Sequence, residues 1–209
     1  MAAPSPITHG RTPRLHFRAL TESEHARTLH EMDCDPEVMR FIHAGPGKPW
    51  AEYQAGFQEW LERLATYGPS MGFWAAHRNE DDAFVGWFHL RPSKLFEQRL
   101  ELGYRFRRAM WGQGLATEGS RALVDYGFRD LAAPEVIALT LTRNQPSRRV
   151  MEKIGMTLAK EFVFPPEVCP AWSEEERRGV LYRIGSPLER DLTRDVEAGE
   201  GKPCALPNF

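Results

Sequence analysis

The sequence predicts one mixed α/β domain, in which a central antiparallel meander is followed by alternating strands and helices. Two patterns predict this class. Short segments with apolar residues at every second position are typical of half-buried strands, and longer segments with apolar residues every three or four positions are typical of amphipathic helices. The later segments alternate strand, helix, strand, helix and strand, which favours a mixed sheet over a doubly wound one. The length of 209 residues fits one domain with short appendages.

Local signals set the limits of the predicted elements. Thr21 and Glu24 have the spacing of a capping box, which predicts a helix after the first strand. Pro146 suits a helix start, because its missing N–H costs little there, and Gly155 suits the position just after a helix. In chain order we predict a strand at 15–20, helices from 21 to about 32 and from 50 to about 67, strands at 73–77, 83–90 and 100–106, a helix at 115–128, a strand at 136–141, a helix at 146–155, and strands at 157–164 and 180–184.

The placement of prolines and apolar residues predicts three parts of the chain. Prolines near the start indicate an extended lead at residues 1–11. Residues 186–209 contain few apolar side chains and mixed charges, so they are predicted to form a loosely docked tail. The folded domain is therefore predicted at residues 12–185.

The composition excludes several classes of protein. Lys and Arg number 27 and Asp and Glu 29, and this balance argues against nucleic acid as the main partner. Apolar runs fall short of the roughly 20 residues of a membrane span, and the start lacks a signal-peptide pattern. Cys34, Cys169 and Cys204 form no CxxC pair, so neither a metal site of the zinc-ribbon type nor a disulfide framework is expected. We expect a cytoplasmic protein without a membrane partner, either a monomer or a homodimer.

A glycine-containing loop between the strand at 100–106 and the helix at 115–128 is the candidate anion site. Gly112 and Gly114 allow the backbone to approach a ligand and to direct N–H groups toward it. The next helix adds free N–H groups and the positive end of its dipole, which suit a phosphate or pyrophosphate. The loop lacks both the Lys-Ser or Lys-Thr pair of a nucleotide P-loop and the third glycine of a dinucleotide fingerprint. The alternative is a helix start with two glycines for packing.

The same loop resembles a family motif. Residues 111–118, Trp-Gly-Gln-Gly-Leu-Ala-Thr-Glu, are similar to the acetyl-CoA pyrophosphate loop of the GNAT N-acetyltransferases, whose general pattern is Q/R-x-x-G-x-G/A. Trp111 takes the first position, Gly114 the glycine and Ala116 the last. A tryptophan at the first position resembles the branch that acetylates ribosomal-protein N-termini, the RimJ/RimL-like group.

Three further blocks carry the same resemblance. Residues 144–156 are similar to the N-x-x-S-x-x-V-x-x-K-x-G-F segment of that branch. Residues 12–20 and 35–40 match its usual start. The four blocks lie in co-linear order, so the resemblance covers roughly residues 12–164 and is far more specific than one glycine loop.

The resemblance implies a GNAT fold, a mixed central sheet that is splayed at the acetyl-CoA site and flanked by helices. It implies that backbone N–H groups of residues 112–117 hold the CoA pyrophosphate, and that the strand end at Phe106 and Arg107 pairs with the pantetheine amides. Arg107 and Arg108 either reach a CoA phosphate or form a solvated basic pair. The implied cofactor-binding residues are Phe106, Arg107, Gly112, Gln113, Gly114, Leu115, Ala116, Thr117, Asn144 and Ser147.

The implied reaction is direct attack of an amine on acetyl-CoA, which needs no cysteine nucleophile but does need an acid for the leaving thiolate. Many relatives have a tyrosine as that acid, at the position where this chain has Met151. Ser147 is the substitute candidate for contact with the CoA sulfur. The alternative role of Ser147 is to cap or pack the start of its helix.

A general base must take the proton of the acceptor ammonium. Glu101 begins the strand beside the expected acceptor cleft and is the first candidate. The alternative is a strand-face charge paired with Arg105 or another arginine. The reserve candidates are Glu161, Glu167 and His89.

The implied function is acetyl-CoA-dependent transfer to a primary amine, either a protein N-terminus or a small molecule such as a polyamine or an aminoglycoside. The alternative is a non-catalytic acyl-CoA-binding module or sensor, which the methionine at position 151 favours. The acidic stretch 164–178 suits a cationic acceptor, although such a stretch is usually a solvated face. Aromatic side chains of the second helix are expected mostly in the core: Trp50, Tyr53, Phe57 and Trp60.

Overall fold

This computed structural model describes residues 10–43, 45–68, 70–96 and 99–187. Residues 1–9 of the predicted lead and residues 188–209 of the predicted tail, with Cys204, lie outside them. The strands are β1 (Leu15–Ala19), β2 (Gly72–Arg78), β3 (Phe84–Pro92), β4 (Leu100–Phe106), β5 (Glu135–Leu141), β6 (Thr157–Val163) and β7 (Arg178–Gly185). The helices are α1 (Glu22–Cys34), α2 (Pro36–Met39), α3 (Trp50–Ala65), α4 (Leu115–Arg129) and α5 (Gln145–Lys153), with a 3-10 turn at Arg108–Met110.

The strands form one mixed sheet in the spatial order β1-β2-β3-β4-β5-β7-β6. The first four strands form an antiparallel meander, and β4 then pairs in parallel with β5. Among the described residues, that parallel pairing covers two pairs, Leu100 with Val136 and Glu101 with Ile137. The remainder of β4, toward Phe106, is unpaired on its β5 side, so the sheet opens where the chain leaves β4 for the glycine loop.

Alternation along β4 directs its apolar side chains to one face of the sheet. Leu102, Tyr104 and Phe106 belong to the core that the sheet forms with α4 and α5. On the opposite face, α1, α2 and α3 pack over a second core around Ala75 and Phe84. Burial of a leucine-sized side chain stabilises a fold by about 1.5–3 kcal/mol, so each core contributes to holding the opened sheet.

The predicted fold class is confirmed, and the predicted strands and helices form with small shifts at their ends. The strand predicted at 100–106 has those bounds, whereas α3 ends at Ala65, two residues before the predicted end. The short helix α2 is missing from the prediction. It begins at Pro36, and the Asp35 side chain accepts a hydrogen bond of 3.0 Å from the Glu37 N–H.

The predicted capping box at Thr21 is wrong. Thr21 is the residue before α1, but its side chain makes no capping hydrogen bond. Its backbone N–H donates instead to Nδ1 of His25, at 3.0 Å, and Glu24 pairs with Arg18 at 2.9 Å. The spacing alone could not reveal these competing partners, because Arg18 belongs to the preceding strand.

Among the described residues, no helix combines the length and the apolar character that a membrane crossing requires.

Candidate active site

A cleft of about 360 Å³ occupies the point where β4 and β5 separate. β4, the glycine loop, the first turn of α4, α5 and the α2 region all contribute to its walls. Two of the residues predicted to bind the cofactor, Arg107 and Gln113, lie outside the lining. The predicted residues that line the cleft are Phe106, Gly112, Gly114, Leu115, Ala116, Thr117, Asn144 and Ser147.

The glycine loop turns directly into α4 because two of its residues adopt left-handed backbone angles. Gly112 has φ +73° and Gly114 has φ +77°, a region that residues with a Cβ rarely adopt. The first backbone hydrogen bond of α4 runs from the Glu118 N–H to the Gly114 carbonyl, at 3.0 Å. The N–H groups of residues 115–117 therefore have no acceptor within the helix. This exposed helix end has the donors and the dipole that a pyrophosphate requires.

A polar clamp holds the loop from its outer side. Glu118 accepts hydrogen bonds from the Thr12 hydroxyl at 2.5 Å, from the Arg14 N–H at 2.8 Å and from Arg14 Nε at 2.7 Å. Arg14 also donates from Nη1 to the Gln113 carbonyl, at 2.8 Å. Burial acts to raise the pKa of Glu118, but the hydrogen bonds from Thr12 and Arg14 hold it below its usual value. The segment before β1 thus fixes the position of the loop.

Two backbone groups at the end of β4 already have hydrogen-bond partners within the protein. The Phe106 carbonyl accepts a hydrogen bond of 2.9 Å from the indole Nε1 of Trp111. The Arg107 N–H donates to the Val85 carbonyl on β3, at 3.0 Å. The predicted pantetheine pairing is therefore not available at the Arg107 N–H, and Arg107 stands apart from the cleft. Arg108 is exposed and pairs with Asp35, at 3.1 Å.

Two hydroxyl groups meet across the opening of the sheet. The Tyr104 hydroxyl on β4 lies 3.1 Å from Ser147 Oγ on α5. Asn144 supports this arrangement, because its Oδ1 accepts from the Ser147 N–H at 3.3 Å and its Nδ2 donates to Thr140 Oγ1 at 2.9 Å. Burial raises the pKa of Tyr104 to about 12, so the phenol keeps its proton at neutral pH. This pair can donate a hydrogen bond or a proton into the cleft.

Tyr104 is absent from the sequence-based set of site residues. The only signal for it was the alternation of β4, which puts Tyr104 on the same face as Leu102 and Phe106. Met151, the residue that favoured a non-catalytic interpretation, is buried in the core and is not part of the cleft wall. A tyrosine from another element therefore stands near Ser147, although the tyrosine expected from relatives is missing.

Glu101 lies at the paired end of β4 and does not line the cleft. Its Oε2 accepts from Ser93 Oγ at 2.7 Å, and its Oε1 accepts from Arg91 Nη2 at 3.0 Å. His89 Nε2 lies 3.4 Å from Oε1 but is too poorly aligned for a hydrogen bond. Burial acts to raise the pKa of Glu101, but His89, Arg91 and Ser93 together hold it below its usual value. Glu101 as general base remains a prediction.

The structure also places the other residues that the sequence suggested for the site or the core. Arg105, the suggested partner of Glu101, pairs instead with Asp33 at 2.6 Å. Glu161 is exposed on β6 and Glu167 is exposed in the loop that follows it. The aromatic side chains of α3 belong to the second core, as expected: Trp50, Tyr53, Phe57 and Trp60.

Basic side chains line part of the cleft, and sequence reasoning did not include them among the site residues. Arg40 follows α2, Arg105 lies on β4, and Arg149 and Lys153 lie on α5, so four cationic residues contribute to the lining. Arg40 is paired with Glu37 at 2.9 Å. Positive charge at this edge suits an anionic ligand whose phosphates reach the glycine loop.

Most of the chain matches one known protein family. Residues 14–157 match the family described as "Acetyltransferase (GNAT) domain". The chain is a GNAT-family N-acetyltransferase. This GNAT enzyme is 36% identical, over 160 residues, to the "FsC-acetyl coenzyme A-N(2)-transacetylase" of Aspergillus fumigatus, and the match covers 73% of this chain and 66% of that protein. The chain thus spans just under two thirds of the length of this relative.

Solved structures of GNAT proteins share the same fold. An acetyltransferase of the GNAT family from Bacillus anthracis superimposes with a TM-score of 0.66 at 22% identity, over 84% of this chain and 96% of that chain. RimL, a ribosomal L7/L12 alpha-N-protein acetyltransferase in complex with coenzyme A, superimposes with a TM-score of 0.62 at 16% identity, over 84% and 96% of the two chains. The predictions of a GNAT fold and of an N-acetyltransferase are confirmed.

Proposed function

We propose that this GNAT enzyme binds acetyl-CoA in the cleft between β4 and β5 and transfers the acetyl group directly to a primary amine. The observation that carries the proposal is the loop of Gly112 and Gly114, which delivers the unbonded N–H groups of α4 to one wall of the cleft. The name of the Aspergillus fumigatus relative includes acetyl coenzyme A and an N(2) position, which supports the same donor and an acceptor nitrogen.

The residues of the cleft fit CoA along its length. The helix N-terminus at residues 115–117 suits the pyrophosphate, and the cationic side chains of Arg149 and Lys153 suit its charge. Between that point and Tyr104, the free edge of β4 offers backbone groups of the kind that pair with an extended amide chain. When bound, the donor supplies an activated acetyl thioester.

Ser147 and Tyr104 are the proposed acid pair. The amine nitrogen attacks the thioester carbonyl carbon, so that a C–N bond forms while the C–S bond breaks. The leaving thiolate then takes a proton from Ser147 or Tyr104, whose hydroxyls lie 3.1 Å apart, and the proton that the acylated nitrogen releases restores that hydroxyl. The second hydroxyl of the pair stabilises the first while it gives up its proton.

Glu101 is the proposed base for the acceptor ammonium. Its pKa lies below its usual value, so the carboxylate is ionised at neutral pH, as a base must be. Its contacts with Arg91 and Ser93 weaken its basicity. Glu161, Glu167 and His89 are the alternatives.

The acceptor is a primary amine on a protein N-terminus or on a small molecule, and the four-block resemblance favours the RimJ/RimL-like branch. One structural neighbour, RimL, acts on a ribosomal protein. Another is a spermidine N-acetyltransferase from Vibrio cholerae, solved with CoA and spermine. Both share the fold at low identity, so the two acceptor classes are separated by experiment. The expected cytoplasmic location and the monomer or homodimer state belong to the same proposal.

Thiol release with a panel of amines tests this function. The full chain is mixed with acetyl-CoA and with ribosomal-protein N-terminal peptides, polyamines or aminoglycosides, and free CoA thiol is measured over time. We expect release well above the amine-free rate with one class of amine. Tight binding of acetyl-CoA without release on any amine would support the non-catalytic module instead.

A further inference from the structure

Two buried imidazoles face each other between α1 and β2. His25 on α1 is fully buried and His77 on β2 is 3% exposed, and their Nε2 atoms lie 3.1 Å apart. Both rings contact Phe84, which belongs to the core on the sheet face that α1 covers. Neither residue contributes to the cleft lining. The acetyl-transfer mechanism therefore makes no use of this pair.

Backbone carbonyls orient both rings through their other nitrogens. Nδ1 of His77 lies 2.9 Å from the Asp82 carbonyl oxygen, and Nδ1 of His25 lies 3.3 Å from the Thr21 carbonyl oxygen. In this structure the Thr21 N–H donates to Nδ1 of His25, at 3.0 Å, so zinc binding requires this nitrogen to take up a proton and to donate it to the Thr21 carbonyl instead. When each Nδ1–H donates to its carbonyl, both Nε2 lone pairs point to the same place. Histidines that bind metals are commonly held in this way, with the non-ligating nitrogen donating to a carbonyl.

A carboxylate completes the group. Glu24 Oε2 lies 3.9 Å from His25 Nε2, and Glu24 Oε1 lies 4.0 Å from His77 Nε2. Arg18 holds Oε1 with a contact of 2.9 Å, which leaves Oε2 for the imidazoles. Glu24 has a partly exposed side chain, so it can close the remaining gap by a rotamer change.

The spacing fits a tetrahedral zinc ion. Zinc–nitrogen bonds of about 2.0–2.1 Å at tetrahedral angles require ligand nitrogens roughly 3.3 Å apart. The two Nε2 atoms are within a few tenths of an ångström of that distance. Two histidines, one carboxylate and one water make a ligand set that suits Zn²⁺.

A neighbouring group of possible ligands, His16, His77 and Asp82, does not compete. Nη2 of Arg18 lies 2.8 Å from His77 Nδ1 and 2.8 Å from Asp82 Oδ1, so a guanidinium cation already occupies the space between them. The Nε2 side of His77 lies on the opposite edge of the ring. A metal bound to the Nε2 atom of His77 requires Arg18 to give up its contact with His77 Nδ1 and to keep its contact with Asp82.

We propose that His25, His77 and Glu24 form a Zn²⁺ site that fastens α1 to β2. Because the ligands belong to two elements, the bound ion would link the first helix directly to the sheet and stabilise the folded state. The ion has no part in acetyl transfer. Its loss is expected to lower stability and to leave the glycine loop intact.

Metal binding by the full, tag-free chain tests the proposal. The chelator-treated protein is titrated with Zn²⁺ in a calorimeter and with Co²⁺, whose visible absorption reports tetrahedral coordination. We expect one equivalent per chain and a melting temperature that rises with Zn²⁺. His77→Gln and the more exposed Glu24→Gln are expected to weaken binding at least about tenfold, and Glu24→Gln keeps the buried pair intact if His77→Gln fails to fold.

His16→Gln and Cys34→Ser are the matched controls. The first removes the neighbouring histidine, and the second removes the thiol that lies 3.4 Å from His30 Nε2. Both controls are expected to bind Zn²⁺ as the unaltered chain does. Loss of binding in either control would place the zinc at another site and overturn the proposal. No binding and no thermal shift in the unaltered chain would mean that the imidazole pair is only an N–H···N hydrogen bond.

Discussion

The Tyr104 hydroxyl lies 3.1 Å from the Ser147 hydroxyl, across the gap that opens between β4 and α5. One partner belongs to the central strand and the other to the helix after β5, so the pair bridges the two halves of the split sheet. If the pair supplies the proton to the CoA thiolate, its two members act as one unit.

Tyr104→Phe and Ser147→Ala are each expected to lower kcat by about 10²-fold and to leave the Kd for acetyl-CoA nearly unchanged, because only proton donation is lost. The kcat of the double variant is expected to be no lower than that of the less active single variant, since residues that act together have non-additive effects. Steady-state kinetics and calorimetry measure the two quantities. Tyr126→Phe, which removes another mostly buried phenol, is the control. Additive losses would contradict a shared role.

Gly114→Glu is expected to abolish acetyl-CoA binding, with a Kd at least about 100-fold higher. The new side chain must adopt a φ of +77°, and its charge repels the pyrophosphate at the helix N-terminus. Calorimetric titration with acetyl-CoA measures the effect. Gly56→Glu adds the same charge at an exposed position on α3, where a Cβ meets no described atom within 4 Å, and it should bind normally. Equal affinities would overturn the loop assignment.

Glu101→Gln is expected to reduce stability in a pH-dependent way. The pKa of Glu101 is lower in the folded state than in the unfolded chain, so its carboxylate stabilises the fold above the unfolded pKa, about 4.3. That contribution disappears as the pH falls through the lowered folded value. The free energy of unfolding of the unaltered chain should exceed that of the variant by about 1–3 kcal/mol near pH 7, and the two should converge in acid. Urea unfolding at several pH values measures this difference, and the exposed Glu161→Gln serves as control.

The same variant tests the base assignment. If Glu101 takes the proton of the acceptor ammonium, Glu101→Gln lowers kcat on the best amine by about 10²-fold while the acetyl-CoA Kd is unchanged. Full activity in a folded Glu101→Gln protein would remove Glu101 from the chemistry. Its role would then be limited to joining β3 to β4 through Arg91 and Ser93.

Glu118→Gln is expected to weaken acetyl-CoA binding about fivefold. The carboxylate accepts hydrogen bonds from Thr12 and from two nitrogens of Arg14, and a loss of about 1 kcal/mol of loop order corresponds to that factor. Asp125→Asn removes an exposed carboxylate on the same helix and should bind like the unaltered chain. An unchanged Kd for Glu118→Gln would mean that the loop holds its shape without the clamp.

Sequence reasoning predicted the elements that depend on local patterns. The bounds of β4 and the start of α4 at Leu115 follow from alternation and from the glycine loop, and both are confirmed. The helix α2 was missed because its four residues are too few to show helical spacing. Tyr104 was missed because periodicity indicates the face of a strand, but not which helix residue stands opposite.

Contacts between different strands and helices were not predicted from the sequence either. Arg91 lies beside Glu101 because β3 and β4 pair in that register, which the sequence does not specify. His25 and His77 are 52 positions apart in the chain and meet only after α1 packs on β2. Such partners depend on tertiary packing, so they could not be derived from residue types and spacing alone.

The clamp between Arg14 and Glu118 gives a role to the residues that precede the first strand. A chain shortened to start at Leu15 would keep every strand and helix of the fold. It would lose the Thr12 hydroxyl and the Arg14 guanidinium, which hold Glu118 and the Gln113 carbonyl. Such a truncated protein would fold around the same sheet with an unsupported donor loop. We therefore expect Thr12 and Arg14 to matter for donor binding, although neither belongs to a strand or a helix.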